Sequence, residues 1–210
     1  METRKAVLGT RHPDTLACMN NLAFTYLEKG RFGEAEKLFV QVIETRMTVI
    51  GPEHPDTLTS MDGLGLTFRR QGQWAVSEKS SVQLIETRKR VLGLEYPDTL
   101  TSMKNLASTY WEQGRFWEAE KLLVQVIETR KTVLGPEHPN TLTSMHNLAL
   151  TYWKQGRLRE VEKLYVQVIE TRKTLLGPEH PDTLPGSATI GGGGKAVCAS
   201  DGNMEDNTWA

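Results

Sequence analysis

Residues 97–138 read PDTLTSMKNLASTYWEQGRFWEAEKLLVQVIETRKTVLGPEH, and residues 139–180 read PNTLTSMHNLALTYWKQGRLREVEKLYVQVIETRKTLLGPEH. The two lines align without a gap and agree at most positions. Outward from this pair, ETR begins at Glu2, Glu44, Glu86, Glu128 and Glu170. PDTL or PNTL begins at Pro13, Pro55, Pro97, Pro139 and Pro181. A glycine after Lys or Gln falls at Gly30, Gly72, Gly114 and Gly156. Every spacing is 42 residues. Three markers sharing one period describe a tandem array, and such a period decides the architecture before any finer reading.

Within one unit, Leu16, Met19, Leu22, Ala23 and Tyr26 fall at helical spacing and form one apolar face. Pro13 suits the first helical turn, where its missing N–H costs nothing. Either His12 or Asp14 can cap that end. Gly30 stops the helix, since glycine tolerates the left-handed conformation after a helix end. A second helix is predicted from about Gly33 to Ile50, with Ala35, Leu38, Phe39, Val42, Ile43 and Val49 as its stripe. Gly51-Pro52 ends it. Neither helix can bury its face alone, so neighbouring pairs must stack. Burying one Leu or Phe contributes roughly 1.5–3 kcal/mol, so the interfaces between units hold most of the stability. The expected fold class is all-α, a right-handed superhelical solenoid of antiparallel helix pairs.

The chain has 210 residues, with 25 Lys+Arg against 26 Asp+Glu, for a formal charge of -1. That balance argues against nucleic acid or an anionic membrane as partner, which would call for a basic excess. No stretch approaches 18 consecutive apolar residues, so no membrane span is expected. METRKAVLG at the start lacks the apolar run of a signal peptide, and a cytoplasmic location is the expectation. Cys18 and Cys198 stand far apart in unlike contexts and suggest neither a disulfide framework nor a metal pair.

The pattern resembles the tetratricopeptide repeat. The first unit supplies Met19, Leu22, Ala23, Tyr26, Gly30, Phe32, Ala35, Phe39 and Val42; the third supplies Met103, Leu106, Ala107, Tyr110, Gly114, Phe116, Ala119, Leu123 and Val126. The fourth follows with Met145, Leu148, Ala149, Tyr152, Gly156, Leu158, Val161, Tyr165 and Val168. The second departs most, with Ser77 and Ser81 where a small and an aromatic residue are expected. The period exceeds the family's usual 34 and is similar to the long repeats of kinesin light chains, including NLA at Asn21, Asn105 and Asn147. On this reading residues 1–184 are the array: a partial unit at 1–12, then units at about 13–54, 55–96, 97–138 and 139–180. Residues 185–210 are Gly-rich and aperiodic, and are expected to be a disordered tail.

Comparing the units with one another locates the variable surface. Asn20, Phe24 and Glu28 become Asp62, Leu66 and Arg70, then Lys104, Ser108 and Glu112, then His146, Leu150 and Lys154. Residues four apart share one helical stripe. A packed position would not tolerate that range of size and charge, so the stripe is expected to face solvent or a partner. The family resemblance implies that first helices line a concave groove. Beside the stripe run Asn21, Asn105 and Asn147, whose amides could clamp a peptide backbone, with Gly63 breaking the ladder. Trp111 and Trp153, with Arg69 in the equivalent place, are either groove hot spots or packing between units. The groove residues so expected are Asn20, Asn21, Phe24, Asp62, Leu66, Arg69, Lys104, Asn105, Ser108, Trp111, His146, Asn147, Leu150 and Trp153. Too few basic residues stand there for a clamp on C-terminal carboxylates.

No catalytic constellation is apparent, and neither an enzyme nor a cofactor is expected. GGGGK at Gly191–Lys195 lacks the first glycine, the following Ser or Thr and the preceding strand of a phosphate loop. His12, His54, His138 and His180 occur once per unit at equivalent connections, and Tyr96 takes that place in the third. Metal ligands must converge on one ion; these read as loop or cap residues. Surface glutamates such as Glu34, Glu36 and Glu44 are expected to form i,i+4 pairs. The expected role is a non-enzymatic module that holds a peptide or extended protein segment, with no nucleic acid, membrane or small-molecule substrate as partner. The alternative is a structural or self-associating array belonging to a larger NLR-type signalling ATPase, with uncapped ends that stack.

Overall fold

The structure, a computed structural model, describes residues 9–176. Residues 1–8 and 177–210 lie outside it, and with them most of the partial unit at 1–12, His180, GGGGK and the expected tail. The described residues form helices α1 (Pro13–Glu28), α2 (Phe32–Val49), α3 (Pro55–Arg70), α4 (Trp74–Val91), α5 (Pro97–Glu112), α6 (Phe116–Val133), α7 (Pro139–Lys154) and α8 (Leu158–Leu176). Each helix packs on the next in sequence, and first helices also meet directly, α1 with α3 and α3 with α5. The fold is an all-α solenoid of helix pairs.

Local chemistry sets each turn. After the first helix of a unit, Gly30, Gly72, Gly114 and Gly156 take φ of 72°, 74°, 75° and 76°. The following residue donates back across the turn, Arg31 N to Tyr26 O at 2.8 Å and Arg115 N to Tyr110 O at 2.8 Å. This is the bond pattern of a Schellman ending, which brings the residue past the glycine over the last helical turn. Here the contact that accompanies it is cationic: Arg31, Arg115 and Arg157 stack on Tyr26, Tyr110 and Tyr152 at 4.3, 4.3 and 4.2 Å. The second unit has Phe68 and Gln73 there instead. At the other connection, His12, His54 and His138 cap: each Nδ1 accepts from the backbone N–H two residues on, at 3.2, 3.1 and 3.1 Å. The histidines are thus helix caps, and Tyr96 leaves α5 without a side-chain cap.

The core runs along the array between units. Leu16, Met19, Ala23, Ala35, Phe39 and Val42 are buried in the first, and Leu100, Met103, Ala107, Ala119, Leu123 and Val126 in the third. Val49, expected on the buried stripe, is instead exposed at the last position of α2. The arginine of ETR is inside. Arg46, Arg88 and Arg130 are 5%, 2% and 3% exposed. Each extends an Nη1 to the next unit, donating to a backbone carbonyl (Asp56 O 2.6 Å, Asp98 O 2.8 Å, Asn140 O 2.9 Å) and to a serine hydroxyl (Ser60, Ser102, Ser144). The marker that revealed the period is therefore a fastener from each second helix to the following first helix.

A second fastener links the turns. Gln71, Gln113 and Gln155 donate to Glu36, Glu78 and Glu120 of the preceding unit at 2.8, 3.2 and 2.9 Å. Arg115 and Arg157 add ion pairs to Glu78 and Glu120. These glutamates pair between units, not along their own helix as expected; Glu34 pairs with Arg31, three residues away.

Candidate groove surface

Three junctions repeat the same geometry with different side chains, and this is where the variable stripe lies. At the first, the Ser60 hydroxyl, which takes a bond from Arg46, donates to Asn20 Oδ1 at 2.9 Å. At the second, Asp62 lies 3.4 Å from Arg88 and accepts from Asn105 Nδ2 at 3.4 Å. Burial pushes the Asp62 carboxyl above the ordinary aspartate range, with the Arg88 guanidinium opposing it. At the third, Lys104 occupies the corresponding place. Burial lowers its pKa, and the Arg130 and Arg69 charges lower it further.

The expectation that the whole stripe faces solvent is thus corrected at its first position. Asn20 is buried, and Asp62, Lys104 and His146 are half-buried. His146 lies against Tyr165, with Nδ1 3.4 Å from the phenol oxygen. At the first two junctions the variety is accommodated because the serine or the arginine can be satisfied by an amide or by a carboxylate. The second position is half-buried throughout, at Phe24, Leu66, Ser108 and Leu150. The third, at Glu28, Arg70 and Lys154, is exposed, whereas Glu112 is half-buried and paired with Arg69 at 2.6 Å.

The asparagine ladder divides in the same way. Asn21 is exposed, Asn147 half-buried and Asn105 buried against Asp62. Gly63 breaks the ladder for a steric reason: a Cβ there would sit 2.4 Å from the Phe39 ring. Where Phe39 becomes Ser81 or Leu123, the next first helix carries Asn105 or Asn147.

Of the two tryptophans, Trp111 belongs mainly to the packing. Leu27 is buried, Arg69 is spent on Glu112, and Trp111 meets Phe116 edge-on at 6.1 Å with the Lys154 ammonium 5.6 Å from its ring. Trp153 is 39% exposed. The same place is thus an ion pair at one junction and a cation–π contact at the next. Comparison of units showed where the chain varies; it did not show that variation can come in matched pairs across a junction. The spacing of 43 between Arg69 and Glu112 carried that signal.

Among the described residues no helix is long and apolar enough to cross a membrane, and no three His, Cys, Asp or Glu side chains gather as metal ligands do.

A family profile described as Tetratricopeptide repeat matches residues 15–56, 57–98, 99–140 and 141–182. Among solved structures, a Podosopora anserina protein described by kinesin light chain nearly identical TPR-like repeats aligns at TM-score 0.73 and 32% identity, over 82% of each chain. A single-substitution variant of that protein aligns at 0.72 and 32%, over 82% of this chain and 81% of that one. BtubC (BKLC) from P. vanneervenii aligns at 0.70 and 16%, over 91% of this chain and 73% of its own, which reflects shared fold alone. No curated protein matches the chain.

Proposed function

Since this chain belongs to the tetratricopeptide repeat family, we propose that it is a non-enzymatic, cytoplasmic interaction module that holds a peptide or extended protein segment along its first helices. One observation supports this most. The first helices approach one another directly and present Phe24, Leu66, Ser108 and Leu150, half-exposed and of three kinds, at one repeated place. Exposed Asn21 and half-exposed Asn147 flank them with donors and acceptors for a backbone. Asn20, Asn105 and Trp111 serve the array itself, and Lys104 adds a cation to the wall.

The reading is tested with peptides selected on the wild-type array from a display library. Leu66→Glu with Leu150→Glu is expected to weaken them at least tenfold with the helical circular dichroism unchanged. Affinity that survives both changes refutes the groove reading. End-to-end association is the second reading, favoured by the exposure of Trp153 and of Glu162, whose counterparts Trp111 and Glu120 are engaged. Light scattering that gives the monomer mass at all concentrations rejects it.

A further inference from the structure

Position 80 distinguishes the second unit. Leu38, Leu122 and Leu164 hold the equivalent place elsewhere, each packed on its neighbouring core. Here it is Ser80, whose hydroxyl is turned back to Ser77 O at 3.0 Å. A half-open cleft of about 350 Å³ lies beside it, between α2, α3 and α4, lined by the apolar Ile43, Leu58, Met61, Leu64 and Leu84, with Gln83 at its polar edge. The neighbours register the missing side chain. Met61 and Leu64 are half-exposed, whereas Met103 and Leu106, their counterparts, are buried against a junction that Leu122 helps to fill. Glu53, on the rim, pairs with Arg90 of α4 and ties the α2–α3 connection across the outside. Thr48 and Thr132 stand where Arg90 does, so that tie has no counterpart at those positions.

We propose that this cleft is a binding site for a small branched aliphatic molecule of about leucine size with one hydrogen-bonding end. The occupant's shape is suggested by the array: at the next junction the Leu122 side chain takes part of the equivalent space. Its polar end is given by the rim, where Ser80 can accept and the Gln83 amide can donate or accept. The volume falls in the range of small-ligand pockets, and a rim tied by an ion pair favours a free molecule over an inserted protein segment. The sequence pointed to no small-molecule ligand: the mismatches it showed in this unit were Ser77 and Ser81, and Ser80 was not among them. The site lies on the second-helix side and is independent of the groove proposed above.

The probe is 3-methylbutan-1-ol, followed by the methyl resonances of ¹³C-methyl-methionine protein. A saturable shift at Met61, absent at Met19, Met103 and Met145, is expected. Ser80→Leu is expected to abolish it and raise the melting temperature. Leu122→Ser is expected to open a second site, with a new saturable shift at Met103. The proposal is overturned if Met61 does not respond in a saturable way, if it responds equally after Ser80→Leu, or if Leu122→Ser folds and leaves Met103 silent.

Discussion

A charged side chain buried in a helical array normally needs a countercharge. Arg46 and Arg130 instead spend their guanidinium protons on carbonyls and hydroxyls of the next unit, and burial lowers the pKa of both. Removing such a group strands its acceptors and leaves a void. Arg130→Ala is expected to cost about 3 kcal/mol in denaturant unfolding. Arg31→Ala, at an exposed turn, should leave the midpoint nearly unchanged. Asp62 supplies a pH test. Its pKa is raised in the folded chain, so its favourable contribution is complete below the unfolded value of about 3.9. That contribution is lost as pH rises through the folded value. Asp62→Asn, which places in the second unit the residue Asn20 provides in the first, is therefore expected to gain stability relative to wild type between acid and neutral pH. A difference in melting temperature that does not change with pH would contradict the assignment. None of this was legible in sequence, because an arginine recurring within a surface-like ETR run gives no sign of pointing inward.

Helices and turns, by contrast, were legible almost to the residue. Proline starts and glycine stops act locally, so α1 was expected to start at Pro13 and stop before Gly30, and it spans Pro13–Glu28. What stayed hidden depends on two helices at once. Gly63 read as a gap in an asparagine ladder; it is the space that Phe39 of α2 occupies. Gly63→Asn is expected to cost about 2 kcal/mol through overpacking. In a Phe39→Ser background, which copies the Ser81/Asn105 pairing, most of that cost should vanish. A double-mutant cycle measures the coupling, and additive effects would show that a side chain at position 63 does not meet Phe39. Arg69 likewise read as a groove residue until α5 supplied Glu112. Single helices reveal which face is apolar, but only a pair reveals which polar residues are already taken.

For the molecule as a whole, each internal boundary carries its own set of paired side chains. Removing residues 55–96 would join His54 to Pro97 with a normal connection, yet it would set Phe39 against Asn105 and Leu27 against Glu112. The shortened array is expected to melt lower than the same deletion carrying Asn105→Gly. In the full chain, where Asn105 bonds Asp62, that substitution should lower the melting temperature instead. A change of sign between the two backgrounds, read by calorimetry, checks the idea. The matching also bears on how such a gene can lengthen. A tandem duplicate of the third unit alone would bring Trp111 up to a copy of Glu112 and not to Lys154, so a newly copied repeat is born with one ill-fitting edge. Growth by duplication then tends to copy blocks of repeats, or else leaves compensating mutations concentrated at the edge that was made last.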